Sequence, residues 1–125
     1  MPIRIFHCDD STAFTRLVRH WLADHEELEH VGAAHAGDEA LRELAAARPD
    51  VVLLDTMGAP GETSLLSDVR AAVPHARVIV YSGYLSILTP AQLGGQADGY
   101  LRKGDDDKAL VAEIHAVSAK PVRAA

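Results

Sequence analysis

The sequence predicts an α/β fold, in which five parallel strands form one doubly wound sheet with helices on both faces. Residues 51–54 read Val-Val-Leu-Leu, an apolar run without polar alternation that is typical of a strand buried on both faces. Short apolar runs of this kind alternate along the chain with segments whose apolar residues recur at helical spacing. At 125 residues the chain has the length of one domain.

Five strands are predicted from runs of apolar and β-forming residues that end at polar or turn-forming residues. They cover Ile3 to Cys8, Leu28 to Ala34, Val51 to Leu54, Arg77 to Tyr81 and Ala97 to Leu101. The second run is mixed in polarity, which suits an edge strand where one side is exposed and Gly32 is tolerated. Right-handed crossovers between the parallel strands place the intervening helices on the sheet.

Helices are predicted between the strands from apolar stripes and from start and stop signals. The first helix begins after Asp9-Asp10-Ser11-Thr12 and runs to about Ala23, and the second runs from Gly37 until Pro49 ends it. The third helix covers Ser64 to Val73, and the fourth lies within Leu85 to Leu93. The last helix is capped from Asp105 and carries the apolar residues Leu110, Val111, Ile114 and Val117. The fourth should be short or displaced, because Thr89-Pro90 favours a cap and Gly94-Gly95 follows at once. We assign residues 1–119 to the domain and residues 120–125 to a tail or the start of a linker.

Composition and charge exclude several functional classes. Lys and Arg number 12 against 18 Asp and Glu, a formal net charge of -6, which argues against nucleic-acid binding by this domain itself. The single cysteine, Cys8, has no disulfide partner, and the seven histidines show no paired ligand spacing typical of zinc sites. No apolar run reaches the roughly 18 residues of a membrane span. We therefore expect a soluble cytoplasmic protein without a membrane partner.

Polar side chains follow four of the predicted strands at their carboxyl ends. Asp9 and Asp10 follow the first strand, Asp55 the third, Ser82 the fourth and Lys103 the fifth. In a sheet ordered two-one-three-four-five, the first and third strands are neighbours where the strand order reverses, so the three carboxylates should converge. Two carboxylates ~4 Å apart repel each other by about 4 kcal/mol at an effective dielectric constant of about 20, so a cation is expected. An all-oxygen cluster suits Mg²⁺.

Asp55 is the candidate nucleophile of this cluster. With its charge offset by a metal ion and Lys103, its carboxylate can attack a phosphoryl group and form an aspartyl phosphate. Lys103 and the ion would hold the phosphoryl oxygens, and Ser82 offers a hydroxyl donor to one of them. Tyr100, on the same strand as Lys103, could bias a conformation when Ser82 moves toward the phosphate.

Each of these signals has a simpler structural interpretation when it is taken alone. Asp9-Asp10 could form only a turn and a helix cap, and Ser82 and Tyr100 are ordinary residues for the end of a strand. The run Asp105-Asp106-Asp107 is better explained as an acidic first turn favoured by the helix dipole than as a metal loop. The combination with Asp55 and Lys103 favours the functional interpretation.

Taken together, these residues make the chain resemble the receiver domain of two-component response regulators, which has a flavodoxin-like fold. The segments that carry the resemblance are Asp9-Asp10, Val51 to Asp55, Val78 to Gly83 and Ala97 to Lys103. The resemblance implies that Asp55 accepts a phosphoryl group from a histidine kinase, assisted by Lys103 and Ser82. It also implies that Asp9, Asp10, Asp55 and the backbone carbonyl of Met57 hold Mg²⁺, and that Ser82 and Tyr100 form the switch.

The sequence Gly99-Tyr100-Leu101, followed by Lys103-Gly104, is most similar to that of receivers that precede a helix-turn-helix DNA-binding domain. This implies regulation of transcription through an output domain or a partner. The resemblance also implies that a homodimer could form through the face of the fourth helix, the fifth strand and the last helix. Three segments depart from the family pattern: proline arrives only at Pro60 after Met57, Gly104 rather than proline follows Lys103, and the fourth helix is interrupted.

Three classes of function compete. The first is a phosphorylation-dependent signalling switch, which is not an enzyme beyond assisting its own phosphorylation and dephosphorylation. The second is a phosphorylation-independent receiver that acts as a protein-interaction or dimerisation module, which the altered 57–61 loop and the fourth helix keep open. The third, a metal-dependent phosphatase, ranks last, because such enzymes usually carry Asp-x-Asp after the first strand, whereas Asp9 and Asp10 are adjacent.

Overall fold

The computed structural model describes residues 1–55, 64–83, 97–104 and 107–121. Three sequence predictions fall outside these residues: the loop from Met57 to Gly61 with its metal-binding carbonyl, the fourth helix within 85–93, and the cap at Asp105. The dimer face that was expected to include that fourth helix therefore stays a prediction.

Five parallel strands form one sheet. The strands are β1 (Ile3–Cys8), β2 (Leu28–Ala34), β3 (Val51–Leu54), β4 (Arg77–Ser82) and β5 (Gly99–Arg102). Their order is β2-β1-β3-β4-β5, and each neighbouring pair is parallel. This confirms the predicted doubly wound fold and its strand order. The fifth strand begins two residues later than predicted. Just before it, the Asp98 N–H donates to the Val78 carbonyl and the Asp98 carboxylate accepts the Val78 N–H, each at 2.8 Å.

The described helices are α1 (Thr12–Ala23), α2 (Gly37–Ala47), α3 (Ser64–Ala72) and α4 (Asp107–Ser118). The N-terminus of α1 is capped by Ser11, whose Oγ accepts the Phe14 N–H at 3.1 Å. Beyond α4, Lys120 is still tied to the domain: its Nζ donates to the Asp98 carbonyl and its own carbonyl accepts from Arg77, each at 2.7 Å. Among the described helices, none combines the length and apolar character needed to cross a membrane.

The core lies on both faces of the sheet, and β3 contributes to each face. Val52 and Leu54 pack with the buried residues of α2 and α3, while Val51 and Leu53 pack with those of α1 and α4. Because successive side chains of a strand point to opposite faces, a strand covered on both sides must be apolar at every position. The unbroken Val-Val-Leu-Leu run is the sequence consequence of this burial.

Gly32 is required by the packing of β2 against β1. A Cβ atom built at Gly32 would lie 2.8 Å from Cε2 and 3.0 Å from Cδ2 of Phe6, whose side chain is buried. The pairing register between β1 and β2 also shifts next to Phe6. The expectation that Gly32 is merely tolerated at an exposed edge was therefore incomplete, because the Phe6 ring occupies the space that any side chain would need.

We expect Gly32→Ala to lower the free energy of unfolding by about 1–3 kcal/mol, because the added methyl group must displace a close-packed ring. Urea denaturation measures the loss. Gly104→Ala is the matched control, since a Cβ atom there would meet nothing within 4 Å. An equal loss in both variants would show that the Phe6 ring is not the cause, whereas Phe6→Leu should recover part of the loss in Gly32→Ala.

Candidate functional site

Backbone hydrogen bonds place the predicted site residues at the carboxyl edge of the sheet. The residue after a strand donates its N–H to the end of a neighbouring strand: Asp9 to Ala34 at 3.0 Å, Asp55 to Cys8 at 2.9 Å, and Lys103 to Ser82 at 3.2 Å. The ladder therefore continues one residue beyond β1, β3 and β5. Each of these residues is thus bonded through its main chain to a neighbouring strand, so the strand pairing sets the positions of the side chains along the edge.

Three carboxylates converge at this edge. Asp9, Asp10 and Asp55 each offer an oxygen, and these oxygens lie within 4.8 Å of one another. Asp9 and Asp55 are buried, whereas Asp10 is exposed. The convergence follows from the adjacency of β1 and β3, since both strands end at the same level of the sheet.

Lys103 supplies the positive charge within this acidic cluster. Its Nζ lies 2.6 Å from Asp9 Oδ2 and 3.1 Å from Asp55 Oδ2, and 4.6 Å from the centroid of the Phe14 ring. Burial alone would lower the pKa of Lys103, but the bonds and charges of Asp9 and Asp55 outweigh it and raise the pKa above its ordinary value. The ammonium group is therefore held charged between the two buried carboxylates.

Asp9 is the most constrained of the three carboxylates. Its Oδ1 accepts the Ser11 N–H at 2.8 Å, and its Oδ2 lies 3.6 Å from Nε2 of the buried His7. Burial would raise the pKa of Asp9, but the contacts with His7, Lys103 and Ser11 outweigh it and lower the pKa from 3.8 to about 2. The native fold therefore favours the ionised form of Asp9.

This pKa predicts an acid-sensitive contribution to stability. A carboxylate whose pKa is lower in the folded than in the unfolded state stabilises the fold above the unfolded value, and the contribution is lost as the pH falls from about 4 to about 2. Between pH 5 and pH 3 in the absence of Mg²⁺, Asp9 should account for about 1 kcal/mol of lost unfolding free energy. Urea denaturation at the two pH values measures this loss. Asp9→Asn should show a loss smaller by that amount, and an unchanged loss would contradict the assignment.

The donor set fits a hard divalent cation. Asp55 Oδ1 is buried and has no hydrogen-bond partner among the described residues, although a buried carboxylate oxygen without a donor is costly. With the neighbouring oxygens of Asp9 and Asp10 it forms an all-oxygen set of the kind that Mg²⁺ prefers. A bound cation would satisfy the Asp55 oxygen and reduce the repulsion between the carboxylates.

Ser82 and Tyr100 occupy different places relative to this cluster. Ser82 is buried at the end of β4, where its carbonyl accepts the Lys103 N–H. Tyr100 packs with the α2 and α3 face of the core, and its hydroxyl oxygen accepts the Ala97 N–H at 3.2 Å. Lys103 Nζ lies instead beside Phe14, which packs with the α1 and α4 face. The Ser82 backbone is thus bonded to Lys103, while its side chain shares the α2 and α3 face with Val80 and Tyr100, because alternate residues of a strand point to the same face. The Tyr100 ring and the Lys103 ammonium group lie on opposite faces of the sheet.

Three aromatic rings lie around Asp9 and Lys103 and were not predicted from the sequence to be part of the site. The rings of His7, Phe14 and Tyr81 lie with their centroids 5.5–6.2 Å apart. Burial, followed by the charge of Asp9, raises the pKa of Tyr81 to about 12. The alternation of β1 carried a signal for His7, since residues 5, 7 and 9 share one face of a strand. Phe14 had been predicted only as part of the apolar stripe of its helix.

Comparisons with known proteins identify the family. The family described as "Response regulator receiver domain" matches residues 5–115. The DNA-binding transcriptional activator DevR/DosR of Mycobacterium tuberculosis is 33% identical over 104 residues, which cover 81% of this chain and 48% of that protein. The signal receiver domain of the putative response regulator NarL from Mycobacterium tuberculosis has a TM-score of 0.77 and 28% identity, covering 95% of this chain and 98% of that one.

The chain also matches, over a shorter stretch, a protein that is named as an enzyme. A protein-glutamate methylesterase/protein-glutamine glutaminase of Geobacillus kaustophilus is 43% identical over 53 residues, which cover 42% of this chain and 15% of that protein. The chain spans less than half the length of the curated relatives it matches. The match of the family over residues 5–115, together with the parallel sheet ordered β2-β1-β3-β4-β5, shows that this chain belongs to the response regulator receiver domain family.

Proposed function

We propose that this receiver is a phosphorylation-dependent switch in which Asp55 accepts a phosphoryl group from a histidine kinase. The observation that carries the proposal is the position of Lys103 Nζ, which contacts the buried carboxylates of Asp9 and Asp55 at once. A fixed ammonium group beside a carboxylate nucleophile is what phosphoryl transfer requires, because that reaction depends mainly on positioning and on charge. We further propose that residues 1–119 form the receiver and that a tail or linker starts at residue 120, where Lys120 is still bonded to Asp98 and Arg77.

The chemistry assigned to Asp55 is a simple displacement. A carboxylate oxygen of Asp55 forms a bond to phosphorus while the bond from phosphorus to the donor imidazole nitrogen breaks. The imidazole leaves with the electron pair and takes up a proton. Asp55 suits this role because its main chain is fixed to Cys8 and one of its oxygens, Oδ2, is already oriented by Lys103.

Lys103 and Ser82 hold the product in this proposal. Lys103 can keep its contact with Asp9 while donating to an oxygen of the transferred group, since an ammonium group has three donors. Ser82 offers its hydroxyl group to another oxygen, and its displacement would be transmitted along β4 to β5, where Tyr100 pairs with Val80. The hydrogen bond between Tyr100 and Ala97 then marks the inactive arrangement.

Mg²⁺ is the proposed cofactor. Asp9, Asp10 and Asp55 would hold it, with the Met57 carbonyl as a further ligand. When bound, the ion supplies positive charge that offsets the charge of the phosphoryl oxygens. Asp10 is suited to capture it because its carboxylate is exposed, whereas Asp9 and Asp55 are buried.

The output is proposed to be the regulation of transcription in the cytoplasm, through an effector domain or a partner. The named similarity to a DNA-binding transcriptional activator supports this class of output. The domain itself carries a formal charge of -6, so contact with DNA would have to come from elsewhere. A homodimer through β5 and the flanking helices is the proposed means of communication.

The proposal is tested by phosphorylation without a kinase. The full chain is incubated with Mg²⁺ and a small acyl phosphate, and intact-mass spectrometry should show the addition of one phosphoryl group. Removing the metal with a chelator should prevent the addition. The absence of any mass gain with Mg²⁺ would overturn the proposal and favour a phosphorylation-independent interaction module, whose partner binding would not respond to acyl phosphate.

A further inference from the structure

A pocket lies between α1 and the edge strand β2, apart from the acidic cluster. Its volume is about 230 Å³. The polar residues that line this α1–β2 pocket are Thr12, Thr15, Arg16, Arg19, His30 and His35. None of the described residues lining it is Asp or Glu. The pocket is therefore a local concentration of cationic groups and hydrogen-bond donors on a chain whose formal net charge is -6.

Arg16 and Arg19 distinguish this pocket from an ordinary charged surface. They lie three residues apart on α1, so they share one face of the helix, and both are exposed. Within the ranges that the structure describes, neither guanidinium group makes a hydrogen bond or an ion pair. Arg4 and Arg42, in contrast, pair with Glu29 at 3.1 Å and Asp38 at 3.5 Å. The donors of Arg16 and Arg19 are available to a ligand.

The floor of the pocket is held by a hydrogen-bond network. Thr15 Oγ1 donates to the Thr12 carbonyl at 2.9 Å and lies 3.2 Å from His35 Nε2, so its oxygen can accept the Nε2–H of His35. Glu39 lies behind His35, with Oε1 4.0 Å from Nδ1 and accepting the His35 N–H at 2.6 Å. These contacts fix the His35 ring before any ligand binds.

His30 supplies a polar atom that the fold leaves unsatisfied. Its Nε2 is buried and has no hydrogen-bond partner among the described residues. Burial, followed by interactions with His7 and Arg19, lowers the pKa of His30 to about 4. Burial is the largest of these effects, and the charge of Arg19 beside the ring is the part that would also favour an anion.

We propose that the α1–β2 pocket binds a small, multiply charged oxyanion, either a phosphate ester or a polycarboxylate, through Arg16 and Arg19. The planar guanidinium group matches the oxygens of both classes and can bind them in a bidentate manner. A small ligand is favoured over a nucleic acid, because the pocket is a recess of limited volume and the chain as a whole repels polyanions.

Titration of the full chain by ¹H–¹⁵N NMR tests the proposal. The probes are inorganic phosphate and, separately, citrate, each in the absence of Mg²⁺ and at constant ionic strength set with sodium chloride. We expect saturable shifts of the backbone amides of residues 12–19 and 30–35 with at least one probe. Saturation with phosphate alone identifies the phosphate class, and saturation with citrate as well or alone identifies carboxylates as ligands.

The variant Arg16→Gln/Arg19→Gln should weaken this binding by at least about tenfold, because each charge-assisted hydrogen bond contributes strongly to affinity. Arg42→Gln is the matched control: it removes one charge from an exposed helical arginine outside the pocket and should leave the affinity within about twofold. Shifts that do not saturate with either probe, an unchanged affinity in the double variant, or an equal loss in Arg42→Gln would each overturn the proposal. Because Asp55 and Mg²⁺ take no part in the titration, its failure would leave the phosphoacceptor proposal intact.

Discussion

Asp55→Asn is expected to abolish the Mg²⁺-dependent mass gain from acyl phosphate. Asparagine has nearly the same shape, but its amide is a poor nucleophile and carries no charge with which to bind the metal ion. Asp55 is 3% exposed and lies in the middle of the carboxyl edge, where Lys103 Nζ contacts its Oδ2 at 3.1 Å. Intact-mass spectrometry after a fixed incubation gives the result directly.

Asp68→Asn is the control for this prediction, because Asp68 is an exposed aspartate on α3 and should not be phosphorylated. Its mass gain should equal that of the wild type. A gain that persists in Asp55→Asn would place the phosphoryl group on another residue and refute the assignment. Circular dichroism and denaturation of the same variants exclude unfolding as the reason for a lost signal.

Lys103→Met is expected to slow phosphorylation by at least about a hundredfold, the scale seen when one preorganised donor to developing charge is removed. The methionine side chain can occupy the same space beside Phe14 but cannot donate to an oxygen. Without Mg²⁺, the free energy of unfolding of the variant should also be about 1–3 kcal/mol lower than that of the wild type, because Asp9 and Asp55 lose the cation that they share. Rates of mass gain and urea denaturation measure the two effects.

Added Mg²⁺ should stabilise Lys103→Met more than the wild type, since the ion then meets carboxylates that no ammonium group neutralises. Phosphorylation should stay slow under the same conditions. Lys108→Met, at an exposed position on α4, is the control and should stay within about 0.5 kcal/mol of the wild type. A variant at position 103 that is as stable and as readily phosphorylated as this control would contradict the role given to Lys103.

The fold was predictable because its signals are local. The unbroken apolar run of β3 and the helical stripe of α1 can each be recognised without knowledge of their neighbours, and the alternation of strands and helices then restricts the topology. The convergence of Asp9, Asp10 and Asp55 followed from strand order alone, since strand order decides which strand ends are adjacent.

Features that depend on contacts between distant segments were not predictable. The need for glycine at position 32 arises from the Phe6 ring of another strand. The contact of Phe14 with Lys103 joins the first turn of α1 to the end of β5. The α1–β2 pocket likewise depends on how a helix lies against an edge strand. A single sequence carries no signal for such contacts, because they are decided by side-chain packing after the topology is set.

Cys8 gives this protein a built-in reporter of local opening. It is the one cysteine of the chain, is fully buried at the end of β1, and lies directly before Asp9. Burial, with Asp9 next, raises the pKa of the thiol to about 12, so the folded protein should hardly react with thiol reagents. The rate of labelling at Cys8 therefore measures how often β1 exposes its carboxyl end. This labelling rate can report whether a ligand protects the acidic cluster, and no cysteine has to be added to the sequence.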